Sequence, residues 1–302
     1  MSKILLKGIF PALPTVFDKR EHLITRSIEK IMDYGYSHQV NGFYVGGATG
    51  EGPVLTAETR IGLFETVIAH NQDRGDLILH VGGPNFEDVK SMIAFANRQP
   101  VTAVSAMAPN AYYSHSDKEL VNYYKTVAEL SEKPVLIYVT PLMLGNNMNS
   151  VFSELIETEN IIGLKFTLPN YYQLSILKML RGGDINVING PDETLICGLS
   201  MGADGGIGST YNLMPDKFVS LYRAFSEGNI DRAKQIQYDI NKVIRVLLEF
   251  GAGNTVIKNL KTALSVKLDC DMGCCAFPCV PLSEEEKRKL FQSLSQAGLQ
   301  LQ

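Results

Sequence analysis

Lys165 carries the most distinctive chemistry in the sequence. It sits inside the apolar run Ile161-Ile162-Gly163-Leu164-Lys165-Phe166, which reads as a β-strand. Strand side chains alternate between faces, so Gly163, Lys165 and Thr167 share one face while Leu164 and Phe166 take the other. The bulky pair suits a layer of helices, which turns Lys165 inward. Desolvation there disfavours the charged ammonium, and the neutral amine is the form that attacks a ketone carbon to make a Schiff base. The alternative is a strand-end lysine that snorkels outward or pairs with an acid. Tyr138 lies in Val135-Leu136-Ile137-Tyr138-Val139, on the face shared by Leu136 and Thr140. An inward phenol near an imine can shuttle protons. A core tyrosine with a satisfied hydroxyl explains the same pattern.

Other candidates are weaker one by one. The turn Gly46-Gly47-Ala48-Thr49-Gly50-Glu51 is glycine-rich and can aim backbone N–H groups at an anion. It lacks the Lys-Ser/Thr end of a nucleotide-binding P-loop, and a tight strand-to-helix turn is the simpler reading. Asp192 and Glu193 can hydrogen-bond a polyhydroxy ligand, or merely open a helix. Cys270, Cys274, Cys275 and Cys279 lack the paired C-x₂-C spacing of a zinc site, and free loop thiols are expected there. The five histidines form no i,i+4 ligand pair. No metal site is expected.

These residues need strands to hold them. Short apolar runs recur at 8–16, 42–45, 77–81, 103–107, 135–139, 161–166, 185–188 and 205–207, separated by helix-period segments. Ser116-Asp117-Lys118-Glu119 is a capping box, and Asn85 precedes the acidic pair Glu87-Asp88. Eight apolar strands alternating with helices predict an α/β fold, a (β/α)₈ TIM barrel. The other candidate, a doubly wound open sheet, lacks a G-x-G-x-x-G after its first strand. From Asn229 the pattern turns purely helical. Ile230, Ala233, Ile236, Ile240, Val243, Ile244 and Leu247 make one stripe, and a second capping box opens at Ser283. Residues 1–228 are therefore expected to form the barrel, and 229–302 a C-terminal helical annex packed on it.

Composition bounds the partners. The 302 residues are 45% hydrophobic and 20% charged, with net charge −4 from 28 basic and 32 acidic side chains. A large core is expected, and a basic nucleic-acid footprint is excluded. No apolar run approaches 18 residues, and the first fifteen residues are broken by Lys7, Gly8 and Pro11, so neither a membrane span nor a signal peptide is expected. Five cysteines in a chain that needs no staples suggest a reducing, cytoplasmic setting.

Taken in order, Gly46-Gly47-x-Thr49-Gly50-Glu51, Tyr138, Gly163-Leu164-Lys165-Phe166-Thr167 and the segment 202–212 (GADGGIGSTYN) resemble the dihydrodipicolinate synthase / N-acetylneuraminate lyase family of class I pyruvate aldolases. The likeness runs from about Gly8 into the annex. It is closer to the lyase branch, because 189–193 and 202–212 look like that branch's sugar-binding strand ends. Synthases usually place an arginine soon after the tyrosine, where this chain has Val139-Thr140-Pro141-Leu142-Met143-Leu144.

The resemblance implies reversible cleavage of N-acetylneuraminate to N-acetylmannosamine and pyruvate. A related pyruvate aldolase, a synthase, or a non-catalytic pyruvate or sialic-acid binder are the alternatives. It implies an imine at Lys165, proton transfer by Tyr138, and a pyruvate carboxylate held by Thr49 and the Ala48-Thr49 backbone. Thr167 and Gly190 would line the pocket, while Asp192, Glu193 and Ser209 would grip the sugar. Tyr113, or its neighbour Tyr112, would reach across a subunit contact of a homotetramer. No cofactor is implied. One departure stands out: the family carries serine or threonine where this chain has Ala48. That hydroxyl belongs to a relay between the strand-five tyrosine and the neighbouring subunit's tyrosine. Ala48 cannot supply it. Pro191 also departs from the lyase's usual bulkier or hydrogen-bonding residue.

Overall fold

The computed structural model describes residues 5–109, 113–250 and 256–301. Eight strands form one parallel sheet: β1 (Gly8–Pro11), β2 (Gly42–Val45), β3 (Asp76–His80), β4 (Ala103–Met107), β5 (Val135–Val139), β6 (Ile161–Phe166), β7 (Asn186–Asn189) and β8 (Gly205–Gly208). The sheet order is β1-β8-β7-β6-β5-β4-β3-β2. The two ends meet where Ala12 bridges Tyr44. There Leu13 N donates to Tyr44 O at 2.8 Å and Asn41 N to Ile9 O at 2.9 Å. The result is a (β/α)₈ TIM barrel.

The first apolar run, 8–16, is strand only to Pro11. Pro11 and Pro14 bring no N–H to a ladder, so the rest of the run continues as buried irregular chain. The seventh and eighth strands also end one residue later than the apolar runs, at Asn189 and Gly208.

Among the described residues the barrel helices are α1 (Thr25–Ser37), α2 (Ala57–Asn71), α3 (Phe86–Asn97), α4 (Asp117–Leu130), α5 (Met148–Leu155), α6 (Tyr171–Lys178), α7 (Leu195–Ser200) and α8 (Pro215–Ser226). The expected caps are present. Ser116 accepts from Glu119 N while Glu119 Oε2 accepts from Ser116 N at 2.7 Å. Asn85 Oδ1 accepts from Glu87 N at 3.0 Å.

The C-terminal helices are α9 (Ile230–Glu249), α10 (Val256–Lys267) and α11 (Glu284–Gln296), the last opened by the Ser283 box. The α9 stripe is buried from Ala233 to Leu247, but Ile230 itself is exposed, because the first turn projects beyond the packed face.

Two hydrophobic layers result. One fills the space between strands and helices and holds Leu164 and Phe166. The other fills the barrel and holds Phe10, Tyr44, Ile78, Leu136, Tyr138 and Ile207. The β5–β6 register shifts between Val135 and Leu136, which face Ile161 and Gly163. Ile162 is the extra residue and also joins the inner layer. From Gly163 onward strict alternation returns, which aims Lys165 inward.

Candidate active site

The C-terminal strand ends gather the candidate residues. Tyr138 on β5 and Lys165 on β6 are direct Cα partners in the parallel ladder, so both side chains project from one level of the barrel wall. Lys165 is 5% exposed. Its Nζ lies 4.0 Å from the Tyr138 ring centroid and 4.4 Å from that of Tyr44. Two other buried or half-buried lysines are neutralised: Lys178 pairs with Asp204 and Lys261 with Glu51. Among the described residues Lys165 has no such carboxylate. It therefore neither snorkels nor pairs. Ring faces attract a cation without supplying a proton acceptor, so they hold the amine in place and leave its nitrogen available.

Tyr44 and His80 complete this cluster. Ring centroids are 6.1 Å apart for Tyr44–Tyr138 and 5.9 Å for both Tyr44–His80 and His80–Tyr138. Tyr44 donates to Ser105 Oγ at 3.0 Å. Burial pushes the Tyr44 phenol well above its ordinary range. Burial, and then the charges of Arg60 and Lys165, hold the His80 imidazole well below its own. Met107 N donates to Nε2 at 3.3 Å, and Arg60 Nη2 lies 3.2 Å from Nδ1.

The Gly46–Glu51 turn follows β2. Gly46 takes φ +74°, a conformation that glycine reaches at little cost. Among the described residues the N–H groups of Gly47, Ala48 and Thr49 donate to no protein acceptor. Successive free N–H groups of this kind form a concavity for an anion. Thr49 is buried and Ala48 exposed. Glu51, at the far end, accepts from Lys261 Nζ at 2.7 Å and from Ala276 N at 2.6 Å. The cysteine-bearing loop thus lies against this turn, although it is remote in sequence. Among the described residues no three possible ligands of a metal cluster there or elsewhere.

Beyond Lys165, the Thr167 hydroxyl is buried with no partner among the described residues. Gly190 abuts it so closely that a Cβ would sit 2.0 Å from Thr167 Oγ1. Glycine here leaves the room that this hydroxyl occupies. Asp192 is buried and accepts from Thr210 N and Oγ1, each at 2.6 Å, and from Ser209 Oγ at 3.3 Å. Burial raises its carboxyl to about 6 despite those hydrogen bonds, which pull the other way. Glu193 is exposed, and its carbonyl accepts from Asn241 Nδ2 of α9 at 2.9 Å.

The contacts therefore form three groups: Lys165 with Tyr138, Thr167 with Gly190, and Asp192 with Ser209. Glu193 and Tyr113 reach none of them within the chain, and Tyr113 is exposed. Tyr112 lies outside the described residues. Sequence reasoning passed over Tyr44, Arg60, His80 and Ser105. His80 and Ser105 carried the signal that picked out Lys165, a polar residue inside an apolar strand. Arg60 carried none, because arginine on a helix is ordinary.

Comparisons with known proteins show the family and the fold. Residues 5–297 match the model of the Dihydrodipicolinate synthetase family. The N-acetylneuraminate lyase of Citrobacter koseri is 32% identical over 296 residues, covering 96% of this chain and 98% of that protein. The N-acetylneuraminate lyase structure from Aliivibrio salmonicida superposes with a TM-score of 0.90 at 28% identity, covering 98% of each chain. CdNal of Clostridium difficile, solved in complex with mannosamine, gives 0.90 at 27% identity, covering 97% of this chain and 99% of its own.

Proposed function

Because the chain belongs to the dihydrodipicolinate synthetase family, and is a carbon–carbon lyase of its class I aldolase type, we propose that it reversibly cleaves N-acetylneuraminate to N-acetylmannosamine and pyruvate. The observation that carries this is Lys165: an amine 5% exposed, against two tyrosine rings, with no carboxylate partner among the described residues. In this reading the neutral amine attacks the C2 ketone of the open-chain sugar acid and water leaves, giving an imine. Tyr138 gives its proton to the imine nitrogen, and the protonated imine draws electrons as the C3–C4 bond breaks. The Tyr138 phenolate takes the C4 hydroxyl proton, and the amino-sugar aldehyde departs. The enamine left on Lys165 gains a proton at C3, and water then releases pyruvate.

The free N–H groups of the Gly47–Thr49 turn hold the carboxylate. The unpartnered Thr167 hydroxyl and the space kept by Gly190 serve the same bound molecule. Asp192 with Ser209, and Glu193 at the rim, serve the hydroxylated chain. That the Clostridium difficile relative was solved with mannosamine supports an amino sugar as a ligand. Residues 1–228 act as the catalytic barrel, and 229–302 as the annex bracing it. No helix among the described residues is long and apolar enough to cross a membrane, and with free cysteines at five positions we place the enzyme in the cytoplasm.

Two measurements test the reading. Pyruvate with borohydride should add one reduced adduct to the intact mass, and Lys165→Ala should abolish it; an adduct that survives the substitution overturns the imine. An aldehyde panel should then show turnover with N-acetylmannosamine. Turnover with aspartate semialdehyde instead would move the assignment to the synthase.

A further inference from the structure

Arg60 of α2 is 3% exposed, yet among the described residues it has no carboxylate partner. Its guanidinium instead donates to backbone carbonyls at two strand ends. Nη1 reaches Gly82 O at 2.9 Å, and Nη2 reaches His80 O and, at 3.4 Å, Gly46 O. Nε has no partner. Burial draws the group down to about 10, which leaves it cationic at neutral pH. Desolvating a cation is costly, and a neutral donor could hold the same carbonyls at less cost. The charge therefore calls for an explanation that the fold alone does not give.

Gly46 O is one target: Arg60 Nη2 reaches it from the helix layer at 3.4 Å, and the same Nη2 lies 3.2 Å from His80 Nδ1 on β3. The peptide unit is planar and trans, so holding Gly46 O toward Arg60 turns the Gly47 N–H to the opposite side. That N–H begins the run from Gly47 to Gly50 that, among the described residues, has no protein acceptor.

We propose that Arg60 is a positioning residue for the substrate carboxylate: it fixes the peptide planes of the Gly46–Thr49 turn, and its uncompensated charge favours an anion bound there. The inference rests on the pyruvate reading of the site. A merely structural arginine would support every ligand alike, whereas this one discriminates by ligand charge.

The test compares pyruvate with methyl pyruvate, which keeps the ketone and lacks the anionic carboxylate. Borohydride-trapped adduct at Lys165 is followed against concentration of each. Arg60→Gln is expected to raise half-saturation for pyruvate about tenfold while leaving the ester within about twofold, with Arg60→Lys intermediate. Equal weakening of both ligands, or of neither, overturns the proposal. If Arg60→Gln does not fold, Arg60→Lys alone decides it by the pyruvate-to-ester ratio of half-saturation concentrations, which should rise. Wild-type protein that traps neither ligand overturns the aldolase reading itself, a separate outcome.

Discussion

Asp192 is pulled in opposite directions by its surroundings. Burial favours the protonated acid, the two Thr210 donors favour the carboxylate, and burial wins, with a value of about 6. In the unfolded chain it titrates near 3.8. The folded state therefore binds more proton between those values, and stability falls as pH rises from about 4 to about 6, then levels. The difference corresponds to about 3 kcal/mol. Asp192→Asn removes this titration, so urea unfolding should show the variant gaining on the wild type by about that much over the same window. A constant gap would refute the assignment.

Tyr138→Phe separates binding from proton transfer. Pyruvate should still be trapped on Lys165, while aldol turnover should drop about 10²–10⁴-fold. Equal loss of both would make Tyr138 a packing residue. The inward placement of Lys165 was legible because three residues of strict alternation follow Gly163. The Arg60 contacts were not, since they depend on strand ends brought together only by barrel closure.

At the level of elements, the annex bears directly on the site. Lys261 of α10 and Glu51 of the β2 turn pair at 2.7 Å, with side chains 4% and 12% exposed. Lys261 also donates to Cys274 O at 2.6 Å, which ties the cysteine loop to the same clamp. Removing one partner strands a desolvated charge. Lys261→Met should cost about 3–5 kcal/mol in urea unfolding, and adding Glu51→Gln should restore part of it. Half-saturation by pyruvate should rise in the single variant, because the turn loses its far anchor. If the double variant is less stable than the single, the clamp account is wrong. Strands and capped helices were legible from the local patterns that form them: apolar runs, Ser116, Asn85 and Ser283. The Glu51–Lys261 pair spans 210 residues, and no local pattern encodes a contact of that range. Ile230 misled for a related reason: periodicity marks a face but not where the neighbouring surface ends.

For the whole molecule, the eight apolar runs carried the barrel, because a parallel sheet covered on both faces leaves few other arrangements. Tyr113 is 73% exposed and joins none of the site contacts. Ala48 shares a cavity of about 550 Å3 with Val54, Phe277 and Val280 at the junction of barrel and annex. Those three apolar side chains are all exposed in the single chain, a pattern that marks an association surface. The family resemblance expects a tyrosine from a neighbouring subunit at the Ala48 side. We therefore expect light scattering to give about four times the 33.3 kDa of one chain. Tyr113→Asp should lower turnover more than it lowers pyruvate trapping, because it touches the relay rather than the imine. Ala48→Ser, which restores a hydroxyl on that path, should raise turnover only while Tyr113 is intact. A fully active monomer, or an Ala48→Ser gain that persists in Tyr113→Asp, would show that the proton takes a route within one chain.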